Sequence, residues 1–431
     1  VATWVSLINK CGTKRRTYLL KLKFIKIKAL LEIALQGTLI DSVYSKRKHP
    51  VLLSKGFEVE IYTSTPTGDV IGFSDRIVAN LHGFVREPDS RNVEYITPPF
   101  HKYEPLLMAL VEPRQKLRSY LRSLGDYTLM PGSTLALGGT DHFCRSDPNN
   151  PYHTYIEQTY GTDVVTASIH INVGIPDLEL LIAACRLIRL EAPLYLALSA
   201  SSPFLNGKAT GFHSSRWQMF PKTPKEVPLF RDHHHFVEWT EQQLQLRNMQ
   251  NVRHLWSSVR PNGDNRPYNL NRLELRISDL VIDPVALLAI TTLLEMRLNQ
   301  FLEAGIGSSL DPLSPNSSIF TPSELAELAD RNEIAAAINS LDAVLTHWQT
   351  GEEITARDWV SNLYEELRSR AKDSGVWCFL SPLKKILEQG NEAQRWLAAY
   401  HNGIRPRQIM TDAIASAEKM DRELAEALLL T

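Results

Sequence analysis

The stretch GFEVEIYT, residues 56–63, alternates apolar and polar side chains along its length. Alternation of period two marks a half-buried strand. Phe57, Val59 and Ile61 then point to one face, and Glu58, Glu60 and Tyr62 to the other. Same-face neighbours on a strand sit roughly 6.6 Å apart, two residues at about 3.3 Å each. Two glutamates at that spacing repel, and strands disfavour Glu. Such a row is tolerated where it faces water and useful where it faces divalent cations.

The same arrangement recurs further along the chain. VEYIT (93–97) puts Glu94 on a strand just after the acidic loop REPDS, which carries Glu87 and Asp89. VVTASIHINVGI (164–175) alternates Thr166, Ser168, His170 and Asn172 with Val165, Ala167, Ile169, Ile171 and Val173. LELRISD (273–279) sets Glu274 and Arg276 against Leu273, Leu275 and Ile277. Strands with one polar and one apolar face predict an antiparallel sheet whose apolar side is covered by helices. Helical spacing is present over 106–124, 177–191 and 237–248, and 194–199 is expected as a short strand. Beyond Asp283 the pattern is almost entirely helical, with breaks near 305–316 and 351–353. The fold class expected is α+β, with a sheet-bearing part (51–282) and a helical part (283–431) in one domain.

Composition narrows the function classes. Hydrophobic residues make up 43% and charged residues 22%, an ordinary globular balance. A formal net charge of -1 gives the whole chain no electrostatic case for nucleic acid or an anionic membrane. Residues 1–50 differ, with eleven Lys/Arg against Glu32 and Asp41. They are expected to be a basic extension, with a candidate amphipathic helix over 21–35 and Val51 as an alternative start of translation. Cys11, Cys144, Cys185 and Cys378 are far apart and form no CxxC pair, so a reducing, cytoplasmic setting is expected. No apolar run is expected to reach the roughly 18–20 residues that span a bilayer.

Carboxylates with one imidazole suit hard cations held together with phosphate oxygens. Mg²⁺ prefers near-octahedral oxygen ligands, usually a few carboxylates plus substrate phosphates and water. Arg276 beside Glu274 reads as an oxyanion clamp, because a planar guanidinium binds such groups bidentately. No GxxxxGK[ST] loop is present, so nucleotide binding would run through metal and arginines. Asp232-His233-His234-His235 resembles a metal cluster, yet consecutive histidines cannot all face one ion. Trp217, Trp239 and Trp256 read as core or pocket packing, and Cys144 as a small apolar filler.

GFEVEIYT (56–63), REPDSRNVEYIT (86–97), DPNNPYHTYIEQTYGTDVVTASIHINVGI (147–175), LALSASSPFLNGKATGFHSSRWQMFP (196–221) and VRPNGDNRPYNLNRLELRISD (259–279) follow one another in that order. Together they resemble the bacterial carboxylate–amine ligases, most strongly the cyanobacterial-type glutamate–cysteine ligases. The resemblance implies a glutamine-synthetase-like fold, a curved antiparallel sheet forming a funnel for ATP and two or more Mg²⁺. It implies ligation of L-glutamate to L-cysteine with release of ADP and phosphate, the first step of glutathione synthesis. Glu58, Glu60, Glu87, Glu94, His170 and Glu274 match metal-binding positions of that family. Asn172 stands where the family has the second histidine of its HxHVG-like strand. Arg276 matches the arginine at the transferred phosphate and, with Glu60, is the expected catalytic pair. Arg216 and Arg260 match substrate or phosphate contacts. A ligase of the same fold acting on another acid or amine, or a non-catalytic metabolite-binding relic, is the alternative.

Overall fold

The computed structural model describes residues 51–429, so the expected basic extension and its candidate helix lie outside the described residues. Within that span, the chain as far as Glu426 forms one structural unit. At its centre lies the GFEVEIYT stretch. β1 (Lys55–Ser64) pairs antiparallel with β3 (Asn92–Ile96), β4 (Thr128–Met130) and β5 (Ile169–Gly174). With β2 (Phe84–Arg86), β8 (Val259–Asn262) and β9 (Arg272–Leu275), the seven-stranded sheet runs β2-β3-β1-β5-β9-β8, and β4 pairs with β1 off that path. Two small hairpins lie apart from it. One is β6 (Phe204–Leu205) with β7 (Lys208–Ala209), the other β10 (Val344–Thr346) with β11 (Glu353–Thr355), inside the part expected to be helical.

Register decides which side chains meet. Phe57, Val59 and Ile61 are all but fully buried, with Ile169, Ile171, Val173, Leu273 and Leu275 on the same side of the sheet. At about 25 cal/mol per Å² of apolar surface, each such side chain contributes roughly 1.5–3 kcal/mol relative to exposure. Helix Leu178–Ser199 lies against β8 and β9 and packs on helices Pro284–Ala304 and Pro322–Asn339.

Three expectations change. Residues 194–199 are not a strand, because the helix begun at Leu178 continues through Pro193 to Ser199. A proline in mid-helix usually breaks or kinks it. Here every residue from Leu181 to Ser199 is buried, and packing on both sides outweighs the lost hydrogen bond. Tyr62 does not join Glu58 and Glu60 on an open face; it is fully buried, and its hydroxyl donates to the Val165 carbonyl at 2.7 Å. Finally, helix Pro284–Ala304 is long and apolar enough to cross a membrane, with a mean hydropathy of 1.3, but 78% of that window is buried inside the fold.

Candidate active site

The polar face of the sheet forms one wall of a cavity of about 820 Å³, within the usual range for small-molecule sites. Glu60 stands directly opposite Glu94 across the β1–β3 register, and Glu58 opposite His170 across β1–β5. Glu274 stands opposite Asn172 on β5 and Arg260 on β8. Neighbouring strands therefore bring these groups together because their alternation is in phase. Glu58, Glu60, Glu87, Glu94, His170, Arg216, Arg260 and Arg276 all line the cavity. Glu274 lies just beneath it, fully buried.

Hydrogen bonds tie the row together. His170 Nδ1 is 2.9 Å from a Glu58 carboxylate oxygen and 3.6 Å from Glu274. Ser168 donates its hydroxyl to Glu60 at 2.7 Å, and Asn172 donates to Glu58 at 3.2 Å. Arg260 grips Glu274 with two N–H groups at 2.7 and 3.1 Å, and Asn262 adds a third donor at 2.6 Å. Arg276 donates to the same carboxylate. Arg216 is anchored from the side, donating to the carbonyls of Ile277 and Arg276, each at 3.1 Å.

The charges do not balance locally. Burial, then Glu58, Glu60 and Glu274, push the Glu94 carboxyl up to about 8. Burial and the charges of Glu60, Glu94 and Glu58 hold Glu87 well above the usual carboxylate range. Glu274 is the opposite case: burial would raise it, but Arg260, Arg276 and His170 hold it well below that range. Burial and the neighbouring Arg276 bring Arg260 down to about 9. Burial first, and then mutual repulsion, raise these carboxyls, and a cation between them would relieve both. Ligand atoms of Glu58, His170 and Glu274 all lie within 4.8 Å of one another. An oxygen-rich set with one imidazole fits Mg²⁺ or a similar hard ion.

The cavity holds residues that the sequence reading missed. Arg253, Arg266 and Arg272 line its β8–β9 end, and Tyr152 and Phe220 form an aromatic wall together with Trp256, which the sequence reading names. A visible signal existed, since Arg260, Arg266, Arg272 and Arg276 fall within one stretch of seventeen residues. Trp256 is nearly buried, with ring centroids 5.0 Å from Tyr160 and 5.1 Å from Phe220, in keeping with pocket packing. The three histidines at 233–235 face different partners. His233 meets the Pro267 carbonyl, His234 pairs with Glu238, and His235 accepts from the Arg231 N–H.

Two solved structures share the architecture. A glutamate–cysteine ligase of Francisella tularensis, solved in complex with AMP, superposes with a TM-score of 0.69 at 13% identity, covering 90% of this chain and 92% of that one. A bifunctional glutathione synthetase of Pasteurella multocida gives 0.64 at 18% identity, covering 86% of this chain and 52% of that one. The shared architecture is an α+β fold with a large antiparallel sheet and covering helices. Residues 54–420 match glutamate–cysteine ligase family 2 (GCS2), and the chain belongs to that family of ATP-dependent carboxylate–amine ligases. Among its relatives, a protein of Sorangium cellulosum named "Putative glutamate–cysteine ligase 2" is 29% identical over 54% of this chain and 58% of its own length. A Rubrobacter xylanophilus protein named "Putative glutamate–cysteine ligase 2-1" is 28% identical over 69% of this chain and 77% of its own.

Proposed function

We propose that this enzyme ligates the γ-carboxylate of L-glutamate to the amine of L-cysteine, as cyanobacterial-type glutamate–cysteine ligases do, in the cytoplasm. The supporting observation is the in-phase row Glu94–Glu60, Glu58–His170 and Arg260 with Arg276 on one cavity wall, with Glu274 buried beneath it. A carboxylate is a poor acyl donor and is first converted to an acyl phosphate. A γ-carboxylate oxygen attacks the terminal phosphorus of ATP, and the bond to ADP breaks. The cysteine nitrogen then attacks the γ-carbonyl carbon, loses a proton, and phosphate leaves with the C–O bonding pair.

Glu58, Glu60, Glu87, Glu94, His170 and Glu274 would hold Mg²⁺, which when bound supplies charge neutralisation at the phosphate oxygens. The chain's own groups do the rest. Arg276 offers a guanidinium to the moving phosphoryl group, and Arg260 and Asn262 keep Glu274 charged and in place beneath it. Arg216 is a substrate or phosphate contact, set by the backbone carbonyls that bind it. Positioning and charge neutralisation account for most of the rate in phosphoryl transfer.

The test is product analysis. With ATP, Mg²⁺, glutamate and cysteine, mass spectrometry should find γ-glutamylcysteine, and ³¹P NMR should find ADP and phosphate. AMP and pyrophosphate would refute the acyl-phosphate route. Equal turnover with another amine in place of cysteine would refute the named substrate and leave a ligase of the same class.

A further inference from the structure

The loop 263–271 between β8 and β9 is held at several points. An added Cβ on Gly263 would stand 2.0 Å from the Asn269 carbonyl oxygen, so the two arms of the loop touch. The N–H groups of Tyr268 and Asn269 donate to the Asn265 carbonyl at 2.9 and 2.8 Å. The Tyr268 hydroxyl donates to Glu241 at 2.8 Å, and the His233 ring lies 3.0 Å from the Pro267 carbonyl.

This anchoring fixes the backbone of Arg266, while its guanidinium is left unmet. Arg266 lines the cavity, and its Nη1 is buried with no hydrogen-bond partner among the described residues. Leaving a buried donor unpaired carries its full desolvation cost, the more so for a charged group. Arg266 is half-buried, whereas the buried Arg91, Arg186 and Arg297 each hold a carboxylate, of Asp89, Asp311 and Glu191. Around Arg266 the neighbours are mostly of its own sign. Burial lowers its pKa, Glu274 opposes this, and Arg276, Arg253 and Arg272 lower it further. That carboxylate is already committed to Arg260, Asn262 and Arg276.

We propose that Arg266, with Arg253 and Arg272 beside it, anchors an oxyanion subsite at the β8–β9 end of the cavity. It takes a carboxylate or phosphate of a substrate at a distance from the reacting centre. The assignment of sources rests on the ligation reading above: the α-carboxylate of the acid substrate, or a phosphate of the nucleotide. The sheet grades from acidic at β1 and β3 to basic at β8 and β9, so an anion without its own cation is repelled from one end and drawn to the other.

Calorimetric titration of the full chain with glutamate, with Mg²⁺–ADP and with inorganic phosphate tests this in wild type, Arg266→Gln and Arg266→Lys. Arg266→Gln should weaken at least one probe tenfold or more, with an unchanged or higher melting temperature because crowded positive charges are relieved. Arg266→Lys should recover part of the loss. A loss on glutamate assigns the carboxylate source, and a loss on Mg²⁺–ADP the phosphate source. If the wild type binds neither, the ligation reading fails, while weakened phosphate binding in Arg266→Gln still supports the subsite. Equal affinities in wild type and Arg266→Gln, no binding of any probe, or a uniform loss with a lowered melting temperature would overturn it.

Discussion

Two charged clusters share β1 and are built on opposite logic. At its first residue, Lys55 is fully buried and holds Glu295 at 2.8 and 2.9 Å, while Glu295 also receives the Tyr103 hydroxyl and the Leu53 N–H. Every charge there has its partner within the chain. Three and five residues further on, Glu58 and Glu60 join a set of carboxylates in which burial and then its neighbours push Glu94 up to about 8. The first cluster is balanced within the fold; the second keeps carboxylates raised beside one another. A buried ion pair with all its bonds made is a structural element, whereas buried like charges mark a site that awaits something.

The sharpest way to break this contrast is Lys55→Met. It leaves a buried carboxylate unpaired and should cost about 3–5 kcal/mol in a denaturant melt, with turnover per folded molecule unchanged. The double variant Lys55→Met/Glu295→Leu should recover most of that loss. Failure of the single variant to lose stability would erase the distinction from one side.

Arg276→Ala should act the other way, lowering kcat about 10²–10³-fold, some 2.7–4 kcal/mol, with a smaller effect on glutamate KM. Arg276→Lys should recover little, since a point charge does not reproduce the guanidinium fork. Glu60→Gln should lower turnover by about a hundredfold or more, near 2.7 kcal/mol, while the metal-free protein melts at the same or a higher temperature. A drop in melting temperature without a change in rate would make Glu60 a structural residue.

His254 sharpens the comparison with a third case, a buried ionisable group kept neutral. It is fully buried among aromatic rings, 3.0 Å from the Tyr152 hydroxyl, and burial brings its pKa down to about 4. The unfolded chain, with a histidine pKa near 6.5, binds this proton more readily than the folded one. Stability is therefore lost as pH falls from about 6.5 toward 4, at roughly 1 kcal/mol per pH unit. His254→Phe should flatten that part of the stability curve relative to wild type. Parallel curves would place the histidine's titration elsewhere.

What the sequence makes legible follows from period. β1, β3, β5 and β9 each announce two faces by alternation, and the in-phase pairing of Glu60 with Glu94 and of Glu58 with His170 makes the row. Tyr62 escapes that reading because alternation distinguishes faces but not what later covers them; residue 165 folds over it. The helix through Pro193 escapes it because proline acts locally and burial does not. Arg253 and Arg266 lie where the chain has no period at all, so only their density, never their spacing, points to the cavity.

The central position of β1 has a consequence for how the chain is made. Its partners β3, β4 and β5 lie further along the sequence, the last ending at Gly174. At about 5–20 residues per second on the ribosome, β1 waits on the order of ten seconds with unpaired edges. An extended segment in that state is a template for pairing with other chains, and interspersed charge is the common safeguard. Glu58 and Glu60, which line the finished cavity, are charges of that kind on β1.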